Sequence, residues 1–153
     1  MGDAAIQGRI QTLIQGLTTF ADADVVLGDY QVIGRGNAPY AIVVPGPFTS
    51  RRSGNWSQVT YSWTHYVEVW EAFAADSFSN ITTARQDVVD VINENPTLDG
   101  LSGVSFALAE ASDEMMFLWR KGQSRETKPA FVGFRIRIAT IEEVLYAGGG
   151  EFT

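Results

Sequence analysis

The sequence contains no cysteine, which removes disulfides, thiolate metal sites and cysteine nucleophiles at once. Histidine is nearly absent too: His65 stands alone, so only a carboxylate-rich metal site, suited to calcium or magnesium, is open. Basic residues are scarce, with 11 Lys and Arg against 18 Asp and Glu, a net charge of −7. Tight binding to duplex DNA rests on Lys and Arg displacing counterions, so this chain is not expected to hold DNA, although DNA could slide past it. Net charge of this size also simply keeps a protein in solution. No apolar run approaches the ~20 residues needed to span a bilayer. Met1-Gly2-Asp3-Ala4-Ala5 has neither the basic nor the apolar region of a secretory signal. A soluble protein made in the cytoplasm is expected.

What is present is core material. The chain has 153 residues, 45% hydrophobic and 19% charged, with nine Phe, four Trp and five Tyr. That is the size of one ordinary domain able to bury a core without staples. Residues 1–146 read as a single α+β domain, and the Gly-rich segment 147–153 as a flexible tail.

Periodicity orders the elements. Ile6, Ile10, Leu13, Ile14, Leu17 and Phe20 recur at three- and four-residue steps, predicting an amphipathic helix over 3–20 with Asp3 as its N-cap. A short extended piece at Val25-Val26-Leu27-Gly28-Asp29-Tyr30 and a turn at Gly34-Arg35-Gly36-Asn37 follow. A strand is expected at 40–44, closed by Pro45-Gly46-Pro47, with 49–55 as a polar loop carrying Arg51 and Arg52. From 56 to 72 the alternation has a period of two. Val59, Tyr61, Trp63, His65, Val67 and Val69 share one face, and Gln58, Thr60, Ser62, Thr64, Tyr66 and Glu68 the other. A strand so much longer than the usual five or six residues implies one arm of a projecting hairpin, or a bulge. A second helix is expected at 79–93, ended by Asn95-Pro96. Strands at 104–111 and 115–120 flank a turn or bulge at Asp113-Glu114, and the last strand covers 129–140 with Arg135 and Arg137 opposite its apolar face. The order is α-β-β-α-β-β, which implies a mixed or mainly antiparallel sheet with two main helices packed on one face.

Chemistry is thin. His65 falls on the apolar face, as a buried or interface histidine with one hydrogen bond would. No Gly-x-Ser-x-Gly elbow supports a catalytic triad. Asp22-Ala23-Asp24, and Asp87 with Asp90, lack the loop pattern of a calcium site, and no phosphate loop is present. No catalytic, cofactor-binding or metal-binding residues are therefore assigned. The candidate interface residues are Arg51, Arg52, Trp56, Tyr66, Trp70, Arg135 and Arg137, because Arg and aromatic side chains concentrate where subunits meet. The bland alternative makes these arginines solvated groups or cross-strand partners of Glu68 and Glu71. Odd-face aromatics are expected in the core, whereas Tyr66 and Trp70 need a second layer or another subunit to cover them.

The layout, rather than any one motif, carries a resemblance. An N-terminal amphipathic helix precedes a strand ending in Ile42-Val43-Val44-Pro45-Gly46, then a long strand from Tyr61 to Trp70. A helix around Ala84-Arg85-Gln86-Asp87-Val88-Val89-Asp90-Val91-Ile92 follows, with Pro96 and Leu98-Asp99-Gly100 behind it, and strands finish the chain. Over most of its length this resembles the tail terminator, or tail completion, proteins of long-tailed bacteriophages. The resemblance implies a virion protein and not an enzyme: a ring of about six subunits that caps the tail tube, meets the neck or head connector, and lets DNA through. A neck adaptor or stopper of the same joint is the neighbouring reading. From a different class, a small-ligand or peptide-binding module with an aromatic pocket at Trp56, Trp63 and Trp70 is a further alternative, and a hydrolase with a carboxylate site is the last.

Overall fold

In a computed structural model of the chain, the described residues are 2–28, 39–52, 57–74, 77–120, 122, 124 and 126–146. Trp56, the turn expected at Gly34–Asn37 and the tail expected at 147–153 lie outside them.

The three-and-four spacing of Ile6, Ile10 and Ile14 produces helix α1, Asp3–Gln15, and buries all three side chains. The helix is shorter than its apolar spacing suggested. Gly16, Thr18 and Thr19 are weak helix formers, and the chain leaves the helix at Gly16 while Phe20 still reaches the core. Two glutamine amides secure the exit, Gln11 to the Val25 carbonyl at 2.9 Å and Gln15 to that of Asp22 at 3.1 Å. Asp3 is not the N-cap. Gly2 occupies that position without a side-chain cap, and the Asp3 carboxylate turns instead to His65. A single 3-10 turn, Asp22–Asp24, leads into strand β1, Val25–Leu27.

Strand β2 runs through Tyr40–Arg52, so the expected stop at Pro45 does not occur. The ladder with β3, Gln58–Ala72, passes from Pro45↔His65 to Phe48↔Trp63, which fits one extra residue into β2. A bulge of this kind absorbs prolines that lack an N–H. Gly46 is required there: a Cβ would stand 2.8 Å from the Thr64 carbonyl oxygen and 2.9 Å from the Tyr66 ring. Past the bulge pairing resumes, with Arg51 opposite Thr60 and Arg52 opposite Val59. Both arginines therefore belong to a strand and not to a loop.

Helix α2, Ser77–Asn93, buries Ile81, Ala84, Val88 and Ile92. Strand β4, Val104–Leu118, is continuous, and its ladder shifts register between Ala111 and Met115, so the Asp113-Glu114 irregularity is a bulge. Strand β5, Phe131–Leu145, completes the sheet in the order β1-β2-β3-β5-β4. Among the described residues, only the β1–β2 pair is parallel. The protein is thus an α+β fold with a mixed sheet and two helices, and no described helix is long and apolar enough to cross a membrane.

Side-chain alternation gives the sheet a helix face and an open face. Ala41, Val43, Val67, Val69, Val132, Phe134, Ile136 and Ile138 pack beneath the buried stripes of both helices to form the main core. Between α2 and β4 the backbone turns through three left-handed residues, Leu98 (φ 51), Asp99 (φ 57) and Gly100 (φ 74). Such φ values are unfavourable for Leu and Asp. Arg9 of α1 holds the turn by donating from Nη1 to the carbonyls of Leu98 at 2.9 Å and Asp99 at 2.8 Å.

Candidate functional site

The helices cover only part of the sheet. Asp3, at the N-terminal end of α1, reaches His65, and a Cβ added at Gly2 would stand 3.8 Å from the Trp63 ring. The strands continue beyond that level. There the helix face carries a cluster of rings: Phe48 stacks on Trp63 with centroids 4.6 Å apart, and Tyr61 stacks on Trp63 at 5.5 Å. Phe48 is 55% exposed, and Leu145 and Tyr146 beside the strand ends are exposed as well. The expectation that Tyr61 and Trp63 belong to the core is corrected. Alternation points them to the correct face, and Trp63 packs against the edge of the main core, but both are only half-buried.

Polar atoms fix the orientation of these rings. Trp63 donates Nε1–H to Glu142 Oε1 at 3.1 Å, and Glu142 is buried beneath the Gly103 turn. The hydroxyls of Tyr61 and Tyr146 share a hydrogen bond of 2.7 Å. That bond, followed by burial and by the neighbouring Tyr146 and Glu142, pushes the Tyr61 hydroxyl above its ordinary pKa of 10.0. His65 is fully buried, and its Nε2 meets Asp3 Oδ1 at 2.5 Å. Thr140 and Glu142 on the adjacent strand are buried too, and stand opposite Trp63 and Tyr61 in the ladder.

The open face brings together four of the proposed interface residues. Tyr66, Trp70, Arg135 and Arg137 all point to it, around Glu68. Arg135 donates from Nη2 to Glu68 Oε2 at 2.8 Å, and its guanidinium lies 4.9 Å from the centre of the Tyr66 ring. Trp70 Nε1–H reaches Glu68 Oε1 at 3.3 Å. Arg137 approaches Glu110 at 3.9 Å. Arg135 is 48% exposed at its side chain, while Glu68 is buried, so the arginine bridges an internal carboxylate to the surface. This is the cross-strand partnership that the alternating pattern allowed for.

Trp70 differs from the others. It is 5% exposed and forms a second small core on the open face with Tyr40, Ile42 and Phe131. Its indole lies over Gly133 of the neighbouring strand, where a Cβ would stand 2.7 Å from the ring. A buried side chain cannot reach a partner, so Trp70 is withdrawn from the interface set. Arg51 and Arg52 sit at the far end of β2 and both are exposed. Arg51 takes the open face and Arg52 the helix face, because they are consecutive in a strand.

Sequence reasoning missed Phe48, which lay beyond an assumed strand end. The period-two register with Trp63, had it been carried through Pro45-Gly46-Pro47, was the signal that could have found it. Among the described residues, no group of three or more His, Asp and Glu side chains is gathered as for a metal ion. A shallow depression lined by Thr19, Pro39, Glu71, Asn80 and Thr83 lies away from both surfaces. Together, a helix-covered core and an aromatic-rich sheet extension with partly exposed rings define the described part of this α+β protein. The chain matches no protein-family model and no curated protein sequence.

Proposed function

We propose that this protein is a structural subunit of a phage virion, forming a ring at the head-proximal end of the tail that caps the tail tube and joins it to the head connector. One observation carries the reading: the sheet runs on past its helices and presents stacked, partly exposed rings on a hydrogen-bonded scaffold. Monomers seldom leave such rings in water, and a ring subunit needs a surface of this kind for a neighbour's different surface. The element order that underlies the resemblance also supports it, and the acidic balance of −7 fits a channel through which DNA passes unheld. The reading assigns no catalytic residues and no cofactor. Its expected partners are further copies of the chain, the tail tube protein, and a neck or connector protein. A neck adaptor or stopper would use the same surface.

The small-ligand alternative loses its site. Trp63 and Trp70 lie on opposite faces of the sheet, so they cannot line one pocket. Light scattering on the purified protein, with negative-stain imaging, tests the ring reading. Closed rings of about six subunits, or addition of the protein to isolated tail tubes, would support it. A monomer at every concentration that also ignores tail tubes would overturn it.

A further inference from the structure

Charge is divided unevenly between two parts of the fold. Residues 40–67 contain no Asp or Glu, although the chain has 18, and the two carboxylates of the β2–β3 hairpin, Glu68 and Glu71, lie at its other end, away from Arg51 and Arg52. They do contain Arg51 and Arg52, exposed at the end of β2 beyond the ring cluster. The helix side has the opposite balance. Between residues 77 and 99, Asp87, Asp90, Glu94 and Asp99 face a single Arg85, whose guanidinium lies 4.1 Å from the centre of the Phe134 ring. Asp90 and Glu94 are exposed, and their spacing of four residues sets them one helical turn apart.

We infer that the hairpin end of one copy, with Arg51, Arg52 and the exposed ring of Phe48, docks on the acidic outer side of α2 of a second copy, around Asp90 and Glu94. The inference deepens the ring reading and rests on it. Complementary potentials fix the partner and the register, while the aromatic ring supplies apolar contact. The two surfaces are different and lie on different elements, so the contact is head-to-tail and propagates until a rotation closes it. It leaves the Arg135–Glu68 network on the open face uninvolved.

Paired charge reversal tests it. In full-length protein, R51E/R52E and D90K/E94K should each weaken assembly roughly tenfold or more, read by light scattering and sedimentation. Each variant alone sets like charges against each other, whereas a mixture of the two restores opposite charge at every contact and should assemble into alternating oligomers. The quadruple variant, with both surfaces reversed, should assemble again. Phe48→Ser provides a charge-neutral check at an exposed position and should weaken assembly with no loss of helical circular dichroism. Wild-type assembly that none of these changes affects would overturn the surface assignment and leave the ring reading standing. Wild-type protein that never assembles, alone or on tubes, would overturn both.

Discussion

The contact between Trp70 and Gly133 decides whether Trp70 is a structural or a recognition residue. On the open face the indole rests directly on the glycine backbone, and an added Cβ would meet the Val69 carbonyl oxygen at 2.6 Å and the indole at 2.7 and 2.8 Å. No rotamer change moves a carbonyl, so Gly133→Ala must either shift the strand or expel the indole. Overpacking a filled site costs about 1–3 kcal/mol. Partial exposure of a Trp that now buries about 150–250 Å² adds to that at about 25 cal/mol/Å². A loss of about 2–4 kcal/mol is expected. Converted at about 2–4 °C per kcal/mol for a chain of this size, the melting temperature should fall by about 5–15 °C. Urea denaturation measures the first quantity and a thermal melt the second, each followed by circular dichroism and Trp fluorescence. Trp70→Ala should cost about 3–5 kcal/mol for the same reason, while any effect on assembly should follow only from the stability lost. A Gly133→Ala protein within about 0.5 kcal/mol of wild type would refute the packing argument, because surface changes fall in that range. So would a Trp70→Ala protein of unchanged stability that no longer assembles, since Trp70 would then be a recognition residue.

Other expectations follow from the hydrogen bonds. Arg9→Ala removes two charge-assisted bonds to the Leu98 and Asp99 carbonyls and should cost about 1–3 kcal/mol, with hydrogen exchange rising first at residues 97–103. Arg135→Ala leaves the buried Glu68 carboxylate without its guanidinium; because Arg135 is half-exposed, the loss should be about 1–2 kcal/mol, and Glu68→Gln in the same background should recover part of it in a double-mutant cycle. The Tyr61 hydroxyl, raised above 10.0 mainly by its bond to Tyr146, should ionise later than an ordinary tyrosine in an ultraviolet pH titration, and Tyr146→Phe should return it toward the ordinary value. The sign for stability follows. A raised folded pKa on a group that is neutral when protonated means this contribution is complete below the unfolded value of about 10 and is lost as pH rises through the folded one.

Side-chain period determined much of this protein from sequence alone. The three-and-four spacing of Ile6, Ile10 and Ile14 defined a helix stripe, and the alternation from Val59 to Val69 defined two sheet faces, because each period follows from backbone geometry. The same alternation set Arg135 and Arg137 opposite the apolar face and put Glu68 among their possible partners. Tertiary structure decided what covers each face. Period cannot reveal where a helix layer stops, so it placed Trp63 and Tyr61 inside a core that Trp63 meets only at its edge and that leaves both half-buried. Nor could it show that Trp70, on the face without helices, builds a small core of its own over Gly133. The fate of Pro45-Gly46-Pro47 was equally invisible: a bulge let the ladder continue and carried Phe48, Arg51 and Arg52 out along a strand, because a missing N–H is harmless wherever no neighbour requires it. Local spacing establishes which side of an element is apolar; only the packing of distant segments establishes whether that side is buried.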